Sequence, residues 1–361
     1  MTSFESPQTQ LKVAIVGAGL AGLTEAVGLR MEGHEVHIFE SSSINREISA
    51  AISLTANALR VLTYLGVNVK NLRAGDNLGV MWFNSEGGEG KFDALYDPHN
   101  TFGRYGILCH RSELHDELKR LATAEDRPGR PVTINLKCEA LRCDPVTGTL
   151  TLKNGEVNQA DLIIGADGIH ARTSPPLINT LSSSTSGGAA FRCLLETSKM
   201  EGDKTLVNIV AYIPDPRDQD KFSKCWNAPS TKEDLVRAFE DYDTQFTALL
   251  ALLDGPVHLA NPRSALPAYV DPGVRAAMSI EDAVTIACLL PRETPKDQIP
   301  RRLEGYQTLR KFVLTESVEQ VPVPSKRGLY GRSREMQAFI AGHDAVKVAR
   351  EYLATHSINV E

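Results

Sequence analysis

The feature that most constrains this chain is a glycine pattern set between an apolar run and a helix. Leu11 to Val16 reads LKVAIV, a β-branched run suited to a strand buried on both faces of a parallel sheet. It runs straight into Gly17-Ala18-Gly19-Leu20-Ala21-Gly22, a match to G-x-G-x-x-G. A helix is predicted next, with Leu23, Ala26, Val27 and Arg30 at helical spacing and Gly33 as its stop. Glu35 to Phe39 reads as the second strand, ending at Glu40, 18 residues past Gly22. In such a unit Gly17 permits the tight turn, Gly19 lets the backbone approach a pyrophosphate, and Gly22 lets helix and strand pack closely. The helix N-terminus offers unpaired N–H groups and a positive dipole end to phosphates. Glu40 stands where an acid can hold the ribose hydroxyls of an adenosine. The constellation predicts dinucleotide binding and leaves NAD and FAD equally open.

Composition narrows the rest. The 361 residues are 42% hydrophobic and 23% charged, which is ordinary for globular α/β chains and excludes disorder or coiled coil. Lys plus Arg is 39 against 45 Asp plus Glu, a net charge of −6 with no basic cluster, so no nucleic-acid partner is expected. No apolar run is long enough for a membrane span, and Met1 to Gln10 is polar without a signal-like apolar core. Six scattered cysteines without a Cys-x-x-Cys read as reduced thiols, so a cytoplasmic location is expected. The histidines show no metal-ligand spacing, and no metal is predicted.

Three further segments bear on the choice of cofactor. Glu47 to Gly66 reads EISAAISLTANALRVLTYLG; Asn57 begins a predicted helix with Leu59, Leu62 and Leu65 on one face and Gly66 as its stop. Cys109-His110-Arg111-Ser112-Glu113-Leu114-His115 precedes a helix whose Leu114, Leu118 and Leu121 face inward, with Ser112 as a possible cap. Ala160 to Gly168 is an apolar strand leading into Gly-Ala-Asp-Gly. Together with the first motif these resemble the flavin-dependent aromatic hydroxylases of the salicylate-hydroxylase type, including fungal FAD monooxygenases of secondary metabolism, continuously from Leu11 to Ser174. The resemblance implies a doubly wound, Rossmann-like α/β FAD-binding domain with a smaller sheet docked on it. It also implies that Ala51 and Arg111 lie on the flavin side, with Arg111 just before its helix. Asp167 would sit in the second nucleotide motif, which is associated with the reducing NADPH or NADH. Ser49, Ala56, Ala171 and Ser174 depart from the family pattern.

Gly187 to Arg192 is similar to the family's G-x-x-a-f-R, which implies that Arg192 faces the ring to be hydroxylated. A fixed guanidinium there can stabilise a substrate phenolate. Two family segments lack a counterpart. One is a hairpin, carrying a Tyr-Pro pair, expected between Asp203 and Lys204. The other is the strand leading into Gly-Asp-x-x-His, expected near Ser264. Beyond it Gly273 and a helix containing Glu281-Asp282 return to pattern, with Pro272 in place of a glutamine. Arg301 to Ser317 and Ala341 to Ala354 are predicted as packing helices. The expected layout is residues 1–178 for the first part of the FAD-binding domain, 187–260 for a truncated substrate-side sheet, and 262–361 for the return.

The implied activity is an FAD-dependent monooxygenation that uses NADPH or NADH and O2 to hydroxylate or epoxidise a small aromatic or polycyclic substrate. Arg192 is the catalytic candidate, and Gly17, Gly19, Gly22, Glu40, Ala51, Arg111, Asp167 and Gly273 are the cofactor-binding candidates. The missing segments keep other readings open: an enzyme holding FAD with other groups, a non-catalytic relative with weak or no flavin binding, or a sequence from which coding segments were skipped. A nicotinamide-dependent dehydrogenase is disfavoured because no Tyr-x-x-x-Lys pair is present.

Overall fold

The computed structural model describes residues 10–43, 51–94, 106–168, 184–185, 188–196, 206–214, 227–260, 263–264, 272–319 and 334–356. Glu47 to Ala50, Ala171, Ser174, Asp203, Lys204 and Ala265 lie outside them. The chain divides into two compact units, one of Met1–Asn77, Pro98–Thr180 and Val270–Glu361, the other of Leu78–Asp97 and Leu181–Tyr269.

The first unit is built on parallel strands in the order β12 (Leu162–Gly165), β1 (Lys12–Val16), β2 (Glu35–Glu40), β8 (Thr133–Leu136). Alternate residues of β1 feed two layers, as the period of a strand requires. Val13 and Ile15 pack into the helical core with Leu23, Val27, Ile280 and Val284. Ala14 and Val16 pack with Phe39, Cys143, Leu150 and Leu152, beneath the antiparallel meander β9 (Ala140–Asp144), β10 (Thr149–Leu152), β11 (Val157–Gln159). A separate small sheet joins β3 (Ala51–Leu54) and β4 (Gly75–Asn77) to β7 (Gly106–His110).

Helix α1 (Leu20–Met31) lies along α6 (Pro272–Leu289), and at their closest approach a Cβ on Gly28 would stand 2.7 Å from the Ala287 Cβ. Arg30, on the inward stripe of α1, is buried because its guanidinium collects carbonyls at the end of α3 (Arg111–Thr123). It donates to the oxygens of Leu121, Ala122, Ala124 and Arg127 at 2.5 to 3.1 Å. Those of Leu121 and Ala124 are among the carbonyls that a helix end leaves unsatisfied. His34 receives the Leu11 N–H at Nδ1 and donates from Nε2 to the Leu290 carbonyl, pinning the end of α6 to β1.

A second polar network ties α6 to α2 (Ala56–Tyr64), α7 (Ile299–Glu319) and the turn before α9 (Ala345–His356). Arg310 is 3% exposed and donates to Asp282 Oδ1 at 2.5 Å and Glu281 Oε2 at 3.2 Å. Glu281 Oε1 also accepts from Asn57 Nδ2 at 2.9 Å and His343 Nδ1 at 2.8 Å. Burial opposes ionisation of Glu281, but these hydrogen bonds and the Arg310 charge outweigh it and hold its carboxyl below the usual range.

Glu25 on α1 is different. It is buried, its Oε1 has no hydrogen-bond partner among the described residues, and burial, followed by the charge of Asp282, pushes its carboxyl well above the usual range. The folded state therefore keeps Glu25 protonated to higher pH than the unfolded chain, which ionises it above about pH 4.3. Stability from this site is complete below that pH and falls as pH rises toward the folded value. Glu25→Gln cannot ionise. Denaturation midpoints are expected to favour the variant increasingly as pH rises above about 4.3, where the unfolded chain ionises, by up to about 1.4 kcal/mol per pH unit. A difference independent of pH would refute this.

Several local expectations shift. Helix α3 begins at Arg111 with His110 as its N-cap. Arg111 is thus its first residue and does not precede it. Ser112 Oγ bonds His110 Nδ1 at 2.7 Å and does not cap the helix. The helix expected at Ala341 to Ala354 is α9, starting later because Asp344 Oδ1 takes the Lys347 N–H, and a separate α8 (Arg334–Gly342) ends just before it. Among the described residues no strand pairs with the outer side of β12.

The second unit has an antiparallel sheet in the order β15 (Leu206–Pro214), β14 (Gly188–Glu196), β17 (Val257–Ala260), β16 (Asn227–Ser230). One face carries Ala189, Phe191, Cys193, Leu195, Val257 and Leu259, packed with Leu235 of α4 (Lys232–Ala238) and Leu250 of α5 (Thr244–Ala251). Thr231 and Asp234 form a reciprocal cap on α4, and Asp243 caps α5. The hairpin β5 (Gly79–Trp82) and β6 (Lys91–Ala94) belongs to this unit although it falls within the 1–178 stretch; in its loop Phe83 meets Phe246 edge to face. A two-residue pairing, β13 (Ser184–Thr185) with β18 (Arg263–Ser264), completes it.

Candidate active site

Strand order reverses at β1, with β2 on one side and β12 on the other, and open α/β sheets bind ligands beyond the carboxyl ends of strands at such a point. The glycine turn lies there. Gly17 has φ +102° and donates its N–H to the Phe39 carbonyl at 2.9 Å. A Cβ on Gly17 would stand 2.5 Å from the Ala166 carbonyl oxygen, so the first turn abuts the Gly165-to-Gly168 turn that holds Asp167. A Cβ on Gly22 would stand 2.0 Å from the Gly17 carbonyl oxygen. Gly19 is the N-cap of α1 and offers no side-chain cap, which leaves the first-turn N–H groups to an outside acceptor.

Glu40 ends β2 in the same corner. Its Oε2 accepts the Ala18 N–H at 2.8 Å and its Oε1 the Ser42 N–H at 2.8 Å. A carboxylate has about four acceptor positions, so it retains capacity for hydroxyl donors. Helix α3 reaches the corner through His115, whose Nε2 donates to the Ala18 carbonyl at 2.8 Å. Arg111, one turn earlier, opens that helix, and β3 pairs Ala51 directly with His110 beside it. Backbone donors at a helix N-terminus beside a carboxylate fit the phosphates and ribose of a dinucleotide.

The structure thus gathers Gly17, Gly19, Gly22, Glu40 and Asp167 in one corner and links Ala51 and Arg111 to it. Gly273 lies in the first turn of α6, and the residues immediately before that helix are outside the described set. Arg192 belongs to the second unit, on the sheet face opposite its apolar core. His115 carries a contact that the sequence reading assigned to no residue; its position four after Arg111, on the same helix face, is the signal that could have found it. Among the described residues no His, Cys, Asp and Glu group is placed to hold a metal, and no helix is long and apolar enough to cross a membrane.

Residues 10–215 match the family described as FAD binding domain. The chain is 35% identical to hispidin-3-hydroxylase of Neonothopanus nambi, with 97% of each chain covered. That alignment spans 419 positions against 361 residues here, so the relative carries segments that this chain lacks. It is 28% identical to the FAD-dependent monooxygenase cfoG of Aspergillus candidus, over 83% of this chain and 82% of the relative. In fold it is similar to CtdE in complex with FAD, with a TM-score of 0.73 at 18% identity over 96% of this chain and 99% of the other. It is likewise similar to a salicylate hydroxylase substrate complex, with a TM-score of 0.68 at 22% identity over 95% and 98%.

Proposed function

This chain belongs to the FAD-dependent monooxygenases, and on that footing we propose that it uses NADPH or NADH and O2 to hydroxylate or epoxidise a small aromatic or polycyclic substrate. Bound FAD supplies the reduction of O2 and the oxygen transfer. The protein's own work is to hold the cofactor and substrate and to keep water from the reacting centre. Gly17, Gly19 and Gly22 bring the backbone and the α1 N-terminus to the pyrophosphate. Glu40 holds the adenosine ribose. Ala51 and Arg111 face the flavin, Asp167 and Gly273 complete its cradle, and Arg192 holds the substrate.

The observation that carries this reading is the meeting of the two glycine turns, Glu40 and α3 beyond the ends of β1, β2 and β12. Hispidin, named by the 35% identical relative, is the first substrate to test. The purified protein is expected to show a flavin band that survives desalting and to oxidise NADPH or NADH in the presence of hispidin or other phenols. A protein that stays colourless after dialysis against excess FAD would overturn the proposal. It would favour the second reading, a truncated or non-catalytic relative, which rests on the absence of a Gly-Asp-x-x-His strand. Glu40→Ala is expected to weaken FAD binding about tenfold or more, the scale of one or two charge-assisted hydrogen bonds. Unchanged flavin occupancy in that variant would remove Glu40 from the adenosine site.

A further inference from the structure

We propose that His258 is a second substrate-contacting residue, which takes the hydroxyl proton of a phenolic or enolic substrate while Arg192 holds the oxygen anion left behind. The inference rests on the monooxygenase reading above and adds a residue to it.

The sheet of the second unit sets one row of residues across its strands: Val210, Arg192, His258 and Pro229. Arg192 and His258 are directly opposite, so their side chains leave the same face and their Cβ atoms stand about 4.5–5.5 Å apart. The neighbours of each along its strand, Phe191 and Cys193, Val257 and Leu259, point the other way into the apolar core. Arg192 and His258 therefore do not belong to the packing that holds the sheet to its helices. Adjacent on their face, the next row sets Tyr212 opposite Ala190.

Each of the two side chains has a buried nitrogen with no hydrogen-bond partner among the described residues: Arg192 Nε and His258 Nδ1. Groups of this kind are rare where a side chain serves only packing. Two basic side chains directly across a sheet also repel when both are charged. An anionic oxygen between them removes both problems at once. The chemistry differs between the two: a guanidinium donates only, whereas imidazole Nδ1 can accept a proton. The step is a proton transfer alone, in which the substrate O–H bond breaks, the proton forms a bond to Nδ1, and the electron pair stays on oxygen beside Arg192. The resulting anion enriches the ring that receives oxygen.

The test compares wild-type protein with His258→Ala, His258→Gln and Arg192→Ala, each loaded with FAD. The probes are hispidin and simple phenols, each against its methyl ether. Binding is read by calorimetry, and turnover by product formed per NADPH consumed. His258→Ala is expected to bind the phenols about tenfold or more weakly, the worth of one charge-assisted hydrogen bond, and the ethers as wild type does. His258→Gln keeps a donor of similar size without the proton acceptor, so it is expected to recover binding but not kcat. Flavin occupancy and thermal midpoint report folding and are expected to stay at wild-type values. Wild-type affinity and kcat in both His258 variants would overturn the inference while leaving the monooxygenase reading intact. A flavin-loaded wild type that binds none of the phenols would also overturn it, while a wild type that takes up no FAD would overturn the monooxygenase reading.

Discussion

Arg310→Ala is expected to lower the stability of the protein by about 3–5 kcal/mol, the cost of removing one partner from a buried ion pair. The guanidinium lies between Glu281 Oε2 and Asp282 Oδ1 with 3% of its surface exposed, and it also reaches the Met278 carbonyl at 3.4 Å. Its loss leaves two adjacent carboxylates, Glu281 buried and Asp282 partly exposed, without the cation they share. Burial already pushes Asp282 above the usual carboxylate range against the pull of Arg310, so the vacated site would drive both acids toward their protonated forms. Two measurements check this. Urea denaturation at neutral pH gives the loss directly. A triple variant that adds Glu281→Gln and Asp282→Asn should recover a large part of it, because no unpaired charge remains. If Arg310→Ala alone denatures at the wild-type midpoint, the network is not what holds α6 to α7.

Gly22→Ala is expected to abolish retention of FAD through desalting, with affinity lower by at least about a hundredfold, the scale of two charge-assisted hydrogen bonds lost together. The added Cβ would lie 2.0 Å from the Gly17 carbonyl oxygen, a backbone atom that cannot rotate away. Either the turn opens or α1 moves off β1, and both withdraw the helix N-terminus from the phosphates. Gly75→Ala is the matched control, since nothing lies within 4 Å of its added Cβ. The visible flavin band of the desalted proteins decides the matter. A band of wild-type intensity in Gly22→Ala would place the pyrophosphate elsewhere.

The parts of this molecule that were legible in the sequence are those built from neighbouring residues. The turn from Gly17 to Gly22 needs close backbone approach, and only glycines at those spacings allow it. Glu40 follows because β2 must return beside β1 in a short crossover unit. The alternating and helical periods of β1, α1 and α2 identified a part of the core in the same way.

Other features depended on residues far apart. Arg30 falls on an apolar stripe, and nothing in its own helix says that it gathers carbonyls nearly a hundred positions away. Glu281 appeared as part of a family helix, but its partners Asn57, Arg310 and His343 come from three other segments. The hairpin from Gly79 to Ala94 carries no signal assigning it to the second unit.

By itself, then, the sequence determined the glycine turn, the acid that ends β2, the parallel α/β core and the family, because local backbone geometry admits few residues at those positions. Only the tertiary structure decided that His115 ties α3 to the turn, that Glu25 is buried beside a network it does not join, and that His258 stands across from Arg192. Those outcomes follow from which strands pair and which helices pack. That choice is made by the burial of the whole apolar surface, and no single stretch of chain encodes it.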